Sequence, residues 1–442
     1  MTRNIRAGLL VLGAGLLLFR LGQPALWQDE SETALRAMSI QKTGLPRMDL
    51  DGVLVSAQPS LSKFEGNSSG IWIWNTWLPA YMTSLSFTIF GQTPFAARLP
   101  FVLCAFVSLW FFLRLFEDEA GPPWAAESGL VLLVLSPAFL LFARQSRYYA
   151  LTALGTVLTF LAWRRILSGA KGGAAALVLS LLFLLHSSFA FFAIAVLALA
   201  ADAALRGREC LSRRYWAAAG ALAAMSLPVF WYFRVWERPG NHAYAAAEAF
   251  EFLKTFLMWL SLFAIPALLP AAVSLKRRRY WPVVAGFVLL CGLVSEGAFS
   301  RVAAAGALLW IAADAASQPA GTKRLAWLWI AATLGLLSFS AAEPYGRYLM
   351  GVLPALAYLG GFWLSELADG RAAPALGLAA ALAAVNWAGW LPLKAASAIG
   401  APEAPAESVS GMMRQRMRDT KPRSDLARFL GELGRGPEGY IE

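Results

Sequence analysis

The residues best suited to chemistry stand in "ALWQDESETALRAMSI" (25–40), where Asp29, Glu30 and Glu32 follow a Trp just after the first apolar run. A carboxylate beside a lipid surface can take a proton from a hydroxyl or amine as it attacks, or orient a divalent cation on a phosphate. The plainer role is a helix start, with Asp29 as cap and Ala34, Leu35, Ala37 and Met38 as the buried stripe. A second group is "ARQSRYYAL" (143–151), carrying Arg144, Arg147, Tyr148 and Tyr149. Guanidinium pairs phosphate in a bidentate way and tyrosine hydroxyls add hydrogen bonds, although a lone Arg at such a place is more often a snorkelling anchor. "EPYGRYLMGVLP" (343–354) repeats the Arg-Tyr pair as Arg347 and Tyr348, after Glu343 and beside the helix breakers Pro344 and Gly346. His186, one of only 2 histidines, interrupts "LLFLLHSSFAFF". An ionisable residue at membrane depth is a site candidate, set against the common role of a His bonded to a carbonyl.

These groups must be positioned by helices. The chain has 442 residues, of which 58% are hydrophobic and only 15% charged, with a mean hydropathy of +0.55. Soluble domains carry roughly 25% charged residues, which excludes an ordinary soluble protein. Apolar runs of about 17 to 22 residues recur along nearly the whole length, each long enough to cross a hydrocarbon core. The fold class expected is therefore an all-α polytopic membrane protein. The net charge of +11 does not call for nucleic acid, because the Lys and Arg sit in short clusters between apolar runs. Many of the 18 Trp stand near run ends, as interfacial belts require. Cys104, Cys210 and Cys291 are far apart and make neither a disulfide framework nor a metal spacing. The first apolar run, after Arg3 and Arg6, resembles a signal peptide and is read as a retained anchor, with cleavage after it as the alternative.

Arg3 and Arg6 put the N-terminus in the cytoplasm, so the run 7–21 exits and leaves Asp29 and Glu30 outside. If 71–90 also spanned, the basic loops "WRRILSGAK", "LRGRECLSRR" and "KRRRYW" would all land outside. Its Asn75, Thr76, Pro79 and three Trp suit an interfacial or re-entrant helix, so it is treated as non-spanning. Spans then follow near 98–116, 124–142 and 148–165. The stretch 173–205 reads as a broken pair turning at His186-Ser187-Ser188. Further spans fall near 216–233, 253–275, 281–296, 302–317, 325–340, 348–366 and 373–391. The expected total is about 13 transmembrane helices, with an outer juxtamembrane helical loop at 22–97. The membrane domain is 1–392, followed by a short outer tail at 393–442 with an amphipathic segment near 424–434. On this threading the candidate residues fall mostly on the outer face: carboxylates on one wall, Arg, Tyr and His on another.

These motifs resemble the C-type integral-membrane glycosyltransferases, in the branch of the protein O-mannosyltransferases and aminoarabinose transferases. "LWQDESETALRAMSI" is similar to that branch's acidic motif after the first span. "WLPAYMTSLSFTIFGQTPFAARLPFVL" (77–103) is similar to its interfacial helix, Phe-Gly turn and entry to the next span. "RQSRYYAL" resembles the second outer-loop motif and "GRYLMGVLPALAYLGG" the late Arg-Tyr…Pro motif. The resemblance runs in order over about residues 1 to 390. It implies transfer of a sugar from a polyprenyl-phosphate carrier to a lipid or protein acceptor on the outer face. It further implies Asp29 as catalytic base or acceptor-orienting acid supported by Glu30, with Arg147, Tyr148, Tyr149, Arg347 and Tyr348 holding the donor phosphate. Many members carry a Pro-Pro-Leu element where this chain has "NTWLPAY"; by position, Lys63 or Glu65 of "SLSKFEGNSSG" takes that wall. Where relatives often have an acid in the second motif, this chain has Gln145 or Tyr149, leaving Glu65 and His186 as candidate ligands for a divalent cation. Relatives of the lipid-modifying type also carry a larger outer C-terminal domain, so acceptor recognition is expected to rest on loop 22–97 or on a partner protein.

Two other classes compete. A lipid-linked sugar transporter or flippase would want charges through the bilayer depth or matched broken helices in two halves. The deeper acids Asp202 and Asp314 stand near predicted cytoplasmic span ends, where solvent reaches them, and no internal repeat is seen. A catalytically inactive subunit of a membrane complex would fit the departures just named, against the intact Asp29, Arg147 and Arg347. Richness in Ala, Gly, Leu and Arg suggests a GC-rich bacterial genome, hence a cytoplasmic (inner) membrane with the site facing the periplasm.

Overall fold

A computed structural model of the chain describes residues 2–23, 25–51, 53–54, 62–117, 119, 121–207, 212–237, 246–264, 273, 276–277, 297–340 and 346–388. Helix dominates these residues. The first helix, α1 (Thr2–Leu18), leads to a segment holding α2 (Gln28–Thr43), a two-stranded antiparallel ribbon, β1 (Asp49–Leu50) with β2 (Val53–Leu54), the short α3 (Ser62–Glu65) and α4 (Leu78–Phe90). Then come α5 (Pro94–Arg114), α6 (Ala125–Val134), α7 (Pro137–Ala143), α8 (Tyr149–Leu167), α9 (Gly173–Ser187), α10 (Phe189–Arg206) and α11 (Arg213–Tyr232). After α12 (Ala246–Ala264), α13 (Ala298–Ser317) and α14 (Thr322–Ser340), a 3-10 helix at Gly346–Val352 runs into α15 (Leu353–Leu367), followed by α16 (Ala372–Ala388).

By length and composition, α5, α8, α10 and the continuous segment Gly346–Leu367 can cross a membrane, and the α6–α7 pair, bent by 59°, is a fifth if it forms one span. α9 and residues 372–385 of α16 are apolar but shorter. These make a multi-pass helical membrane protein. The other expected spans, α1 and α11 to α14 among them, do not meet that measure among the described residues, and 281–296 lies outside them. Glu343, Cys210, Cys291 and the whole tail 393–442 also lie outside the described residues.

Local sequence explains the breaks. Ser188 is extended between α9 and α10, with φ −161° and ψ 123°, so the stretch 173–205 is two helices meeting at the predicted turn. The bend between α6 and α7 comes from Ser136, whose hydroxyl accepts from the Phe139 amide, with Pro137 opening the next helix. α4 has 13 residues, about 20 Å of helix against the roughly 30 Å of a bilayer core. It lies instead against α2, where Leu26, Ala34, Leu35, Ala37, Met38 and Phe87 form a small core with Ala96 and Ala97 of α5. Its outer stripe, Tyr81, Leu85 and Ile89, is exposed, at the i, i+4, i+8 spacing of one helix face.

The main core is small-residue packing. A Cβ on Gly129 of α6 would stand 2.7 Å from the Ala357 carbonyl of α15, and one on Gly361 would strike the Ala125 carbonyl. The two backbones touch, as small residues permit in membranes. At the other end of the bundle Asp202 is fully buried, not solvated as its place in the sequence suggested. Trp163 Nε1 donates to its Oδ2 at 2.8 Å, Arg206 Nε at 2.7 Å, and Arg324 Nε to Oδ1 at 2.7 Å. Those bonds tie α8, α10 and α14 together and leave the acid no spare oxygen for a passing solute.

Candidate active site

The site begins with how α2 is anchored. Glu30 is wholly buried. Its carboxylate takes a two-point grip from Arg98, Nε to Oε1 at 2.8 Å and Nη2 to Oε2 at 2.6 Å. Oε1 also accepts from the Ser146 amide at 3.1 Å, and Oε2 from the Trp27 amide at 3.3 Å. Arg98 donates in addition to the Leu21 carbonyl at 3.0 Å and the Ala25 carbonyl at 2.9 Å. One buried ion pair therefore fixes α2, α5, the chain leaving α1 and the turn before α8. α5 brings Arg98 there because Gly91 (φ 77°) closes α4, the Thr93 hydroxyl caps α5 by accepting from the Ala96 amide at 3.1 Å, and Pro94 opens it.

Asp29 lies in the first turn of α2 and is not its cap, a place taken by Trp27. Its carboxylate stands between two guanidiniums, Arg347 Nη2 at 3.8 Å and Arg147 Nη2 at 4.0 Å from the same Oδ2. Both distances exceed a hydrogen bond. Arg147 is held by its other nitrogen, Nη1, which donates to Glu32 Oε2 at 3.0 Å and to the Asp29 carbonyl at 3.1 Å. Its Nε is buried with no partner among the described residues. The Arg347 guanidinium lies 5.2 Å from the Trp27 ring centre and 5.7 Å from that of Tyr348. The rings of Tyr148 and Tyr149 are 4.7 Å apart.

The 3-10 helix that carries Arg347 and Tyr348 is clamped from behind. The Gly351 carbonyl accepts from Thr156 Oγ1 at 3.0 Å and from Trp329 Nε1 at 3.2 Å, and a side chain on Gly351 would collide with Phe191. Asp29, Arg147, Tyr148, Tyr149, Arg347 and Tyr348, far apart in sequence, thus meet at one site. Burial pushes the Tyr148 phenol well above the ordinary 10.0, helped by Tyr149, so it is a neutral donor. Burial opposes the charge of Arg147, but Asp29 and then Glu32 outweigh it and raise the guanidinium above its ordinary value.

A small cleft with a cavity volume of about 30 Å³ opens beside Arg147. Glu32, Arg36 and Arg147 meet there with Trp72, Asn75 and Trp77. Burial raises the Glu32 carboxyl above 4.5, against the pull of Arg147 and Arg36. Arg36 stacks 3.9 Å over the Trp72 ring and donates to the Arg47 carbonyl at 2.7 Å. Burial pushes it down to about 10, opposed by Glu32 and Glu65.

Glu65 is brought near the cleft, where its charge acts on Arg36. Lys63 lies on α3 and Glu65 ends it, buried. His186 is exposed near the end of α9, while its neighbour Ser187 reaches the cleft. No three His, Cys, Asp or Glu side chains gather among the described residues in a group able to hold a metal ion. Glu65 and His186 therefore do not fit as ligands of one cation, and no step is derived through one. Sequence reasoning missed Arg98 and singled out Glu32 without giving it a role in the site. A lone Arg opening an apolar span and the i, i+3 spacing of Asp29 and Glu32 were the available signals.

The fold is similar to two crystal structures of ArnT from Cupriavidus metallidurans. With the one bound to undecaprenyl phosphate the TM-score is 0.57 at 15% identity, covering 96% of this chain and 69% of that one. With the apo state the TM-score is 0.55 at 15% identity, covering 97% and 68%. No protein-family model and no curated protein matches the sequence. At this identity the likeness shows the fold alone: the chain shares the fold of ArnT.

Proposed function

We propose that this protein transfers a sugar from a polyprenyl-phosphate donor to a lipid or protein acceptor on the outer face of a bacterial cytoplasmic membrane. The observation that carries this reading is the Asp29 carboxylate, held 3.8 and 4.0 Å from Arg347 and Arg147 without a hydrogen bond to either. Two guanidiniums gathered at one acid make a cationic site suited to a phosphate, and the buried Arg147 Nε has no partner among the described residues. The undecaprenyl phosphate bound in one ArnT structure of the same fold supports a lipid-phosphate ligand.

In the reaction the acceptor hydroxyl or amine attacks the anomeric carbon as its bond to the phosphate oxygen breaks. Asp29 takes the proton from the attacking group. Negative charge gathers on the leaving polyprenyl phosphate, where Arg147, Arg347 and the Tyr148, Tyr149 and Tyr348 hydroxyls receive it. Direct displacement inverts the configuration. Glu30, with both oxygens engaged by Arg98, positions α2 and transfers no proton. Acceptor recognition falls to the first outer loop or to a partner protein.

The test is transfer of labelled sugar from polyprenyl-phosphate donors by the full chain and by Asp29→Asn. The substitution should abolish transfer, leaving thermal unfolding and lipid-phosphate binding intact. A wild-type chain that neither binds lipid phosphate nor transfers sugar would favour an inactive subunit instead.

A further inference from the structure

We infer that the end of α1 is a headgroup site for an anionic phospholipid of the surrounding membrane, its phosphodiester held by Arg144 and Arg20 and an acyl chain laid along α1. The inference is independent of the transferase reading and concerns a guanidinium that the reading leaves unused. Arg144 stands in the turn between α7 and α8, three residues before Arg147. Its side chain goes to the end of α1, where Nη2 donates to the Phe19 carbonyl. Capping a helix end in that way uses one N–H of the fork. Arg144 Nε is buried with no partner among the described residues. The acid whose charge reaches it, Glu30, is already held at both oxygens by Arg98. Burial first and Arg98 second push the Arg144 guanidinium below its ordinary value, opposed by Glu30. A half-buried cation so placed is stabilised by an anion from outside the chain.

The residue after Phe19 is Arg20, exposed and left-handed at φ 52°. Glycine is the easier residue at such a φ, so the turn alone does not call for Arg. Arg20 Nε donates to the neutral Gln23 side chain, and neither guanidinium has a carboxylate partner among the described residues. Below the two cations α1 carries an uncovered apolar face. Val11, Leu12, Leu18 and Phe19 are exposed. Gly8 and Gly15 share that face, and a Cβ on either would meet nothing within 4 Å. These are the i, i+3, i+4 and i+7 positions of one helix face, whereas Gly13 on the opposite side packs against Leu109 of α5 and Val134 of α6. From Gly8 to Phe19 the face runs about 16 Å, close to the roughly 15 Å of hydrocarbon in one leaflet. An apolar strip one leaflet deep, topped by two guanidiniums, matches a phospholipid with a net negative headgroup. A zwitterionic lipid brings its own cation and is the poorer match.

The full chain in detergent micelles is titrated with phosphatidylglycerol, phosphatidylcholine, inorganic phosphate and undecaprenyl phosphate, and the bound molecules are counted by native mass spectrometry. Wild type is compared with Arg144→Gln, Arg20→Gln, Gly15→Phe and, as a surface control, Lys42→Gln, with thermal unfolding as the check on folding. Wild type should bind phosphatidylglycerol about tenfold or more tightly than phosphatidylcholine. Arg144→Gln should weaken phosphatidylglycerol about tenfold, the worth of one charge-assisted pair, and the more exposed Arg20→Gln about threefold. Gly15→Phe, which fills the strip, should also weaken it, and Lys42→Gln should not. If Arg144→Gln does not fold, Arg20→Gln and Gly15→Phe decide. Phosphatidylglycerol held no better than phosphatidylcholine, or unaffected by Arg144→Gln, Arg20→Gln and Gly15→Phe in every chain that folds, overturns the inference. Inorganic phosphate bound as tightly as phosphatidylglycerol overturns it in favour of a free-anion site. An equal loss of undecaprenyl phosphate in Arg144→Gln and Arg20→Gln overturns it by assigning both residues to the donor.

Discussion

Asp29 and Glu30 are adjacent in sequence but point about 100° apart on a helix, and that rotation separates their work. Glu30 faces α5 and is consumed by Arg98; Asp29 faces the Arg147–Arg347 gap. Removing one partner of a buried pair strands the other charge, at about 3–5 kcal/mol. Glu30→Ala or Arg98→Ala should therefore lower the thermal unfolding midpoint sharply, whereas Asp29→Asn should leave it near wild type. Glu32 adds a pH effect. Its carboxyl is raised by burial above 4.5 in the folded chain, so the folded state holds this proton more tightly than the unfolded state. Stability from this group is present below 4.5 and is lost as pH rises through the raised value. Glu32→Gln should flatten the unfolding midpoint across that acidic window; an unchanged pH profile would remove Glu32 as its source. The carboxylates themselves were legible in the sequence, since acids at a membrane edge stand out. Their division of labour was not, because Glu30 and Arg98 are 68 residues apart and no local pattern pairs them.

At the scale of elements, the site depends on how tightly the 3-10 helix before α15 is clamped. Gly351 lies under Phe191 with its carbonyl bonded to Thr156 and Trp329. Gly351→Val should shift Arg347 and Tyr348 away from Asp29, lowering lipid-phosphate affinity more than tenfold with the chain still inserted; unchanged affinity would mean that the clamp does not position them. The break at Ser188 and the short interfacial α4 were readable, because a polar run inside an apolar stretch and a Pro-containing, Trp-rich segment resist spanning. The 3-10 geometry was not. Pro344 and Gly346 announced a break, but only the contacts with α8 and α14 decide what replaces the helix.

For the whole molecule, the outer-face reading requires one orientation. Single cysteines in a cysteine-free background at Ser69, in the first outer loop, and at Ser168, after α8, should react with a membrane-impermeant maleimide from opposite sides, Ser69 from outside only. Labelling of Ser168 from outside would invert the threading and move the basic loops to the wrong face. Composition made the multi-pass class plain. The count of single spans was less plain, because α1 has 17 residues and α11 and α13 mix charge or small residues into their runs. Nor did composition anticipate the fully buried Asp202 cluster, whose partners come from three helices.

The most direct test of the central claim is the position of phosphate in a cryo-electron microscopy structure of the full chain in nanodiscs with undecaprenyl phosphate. The account predicts phosphate density between Arg147 and Arg347, within hydrogen-bond reach of a Tyr hydroxyl, with Asp29 facing it and the Glu32 cleft open alongside. Density elsewhere in the bundle, or a gap closed by Asp29 bonding directly to both guanidiniums with lipid present, would contradict it.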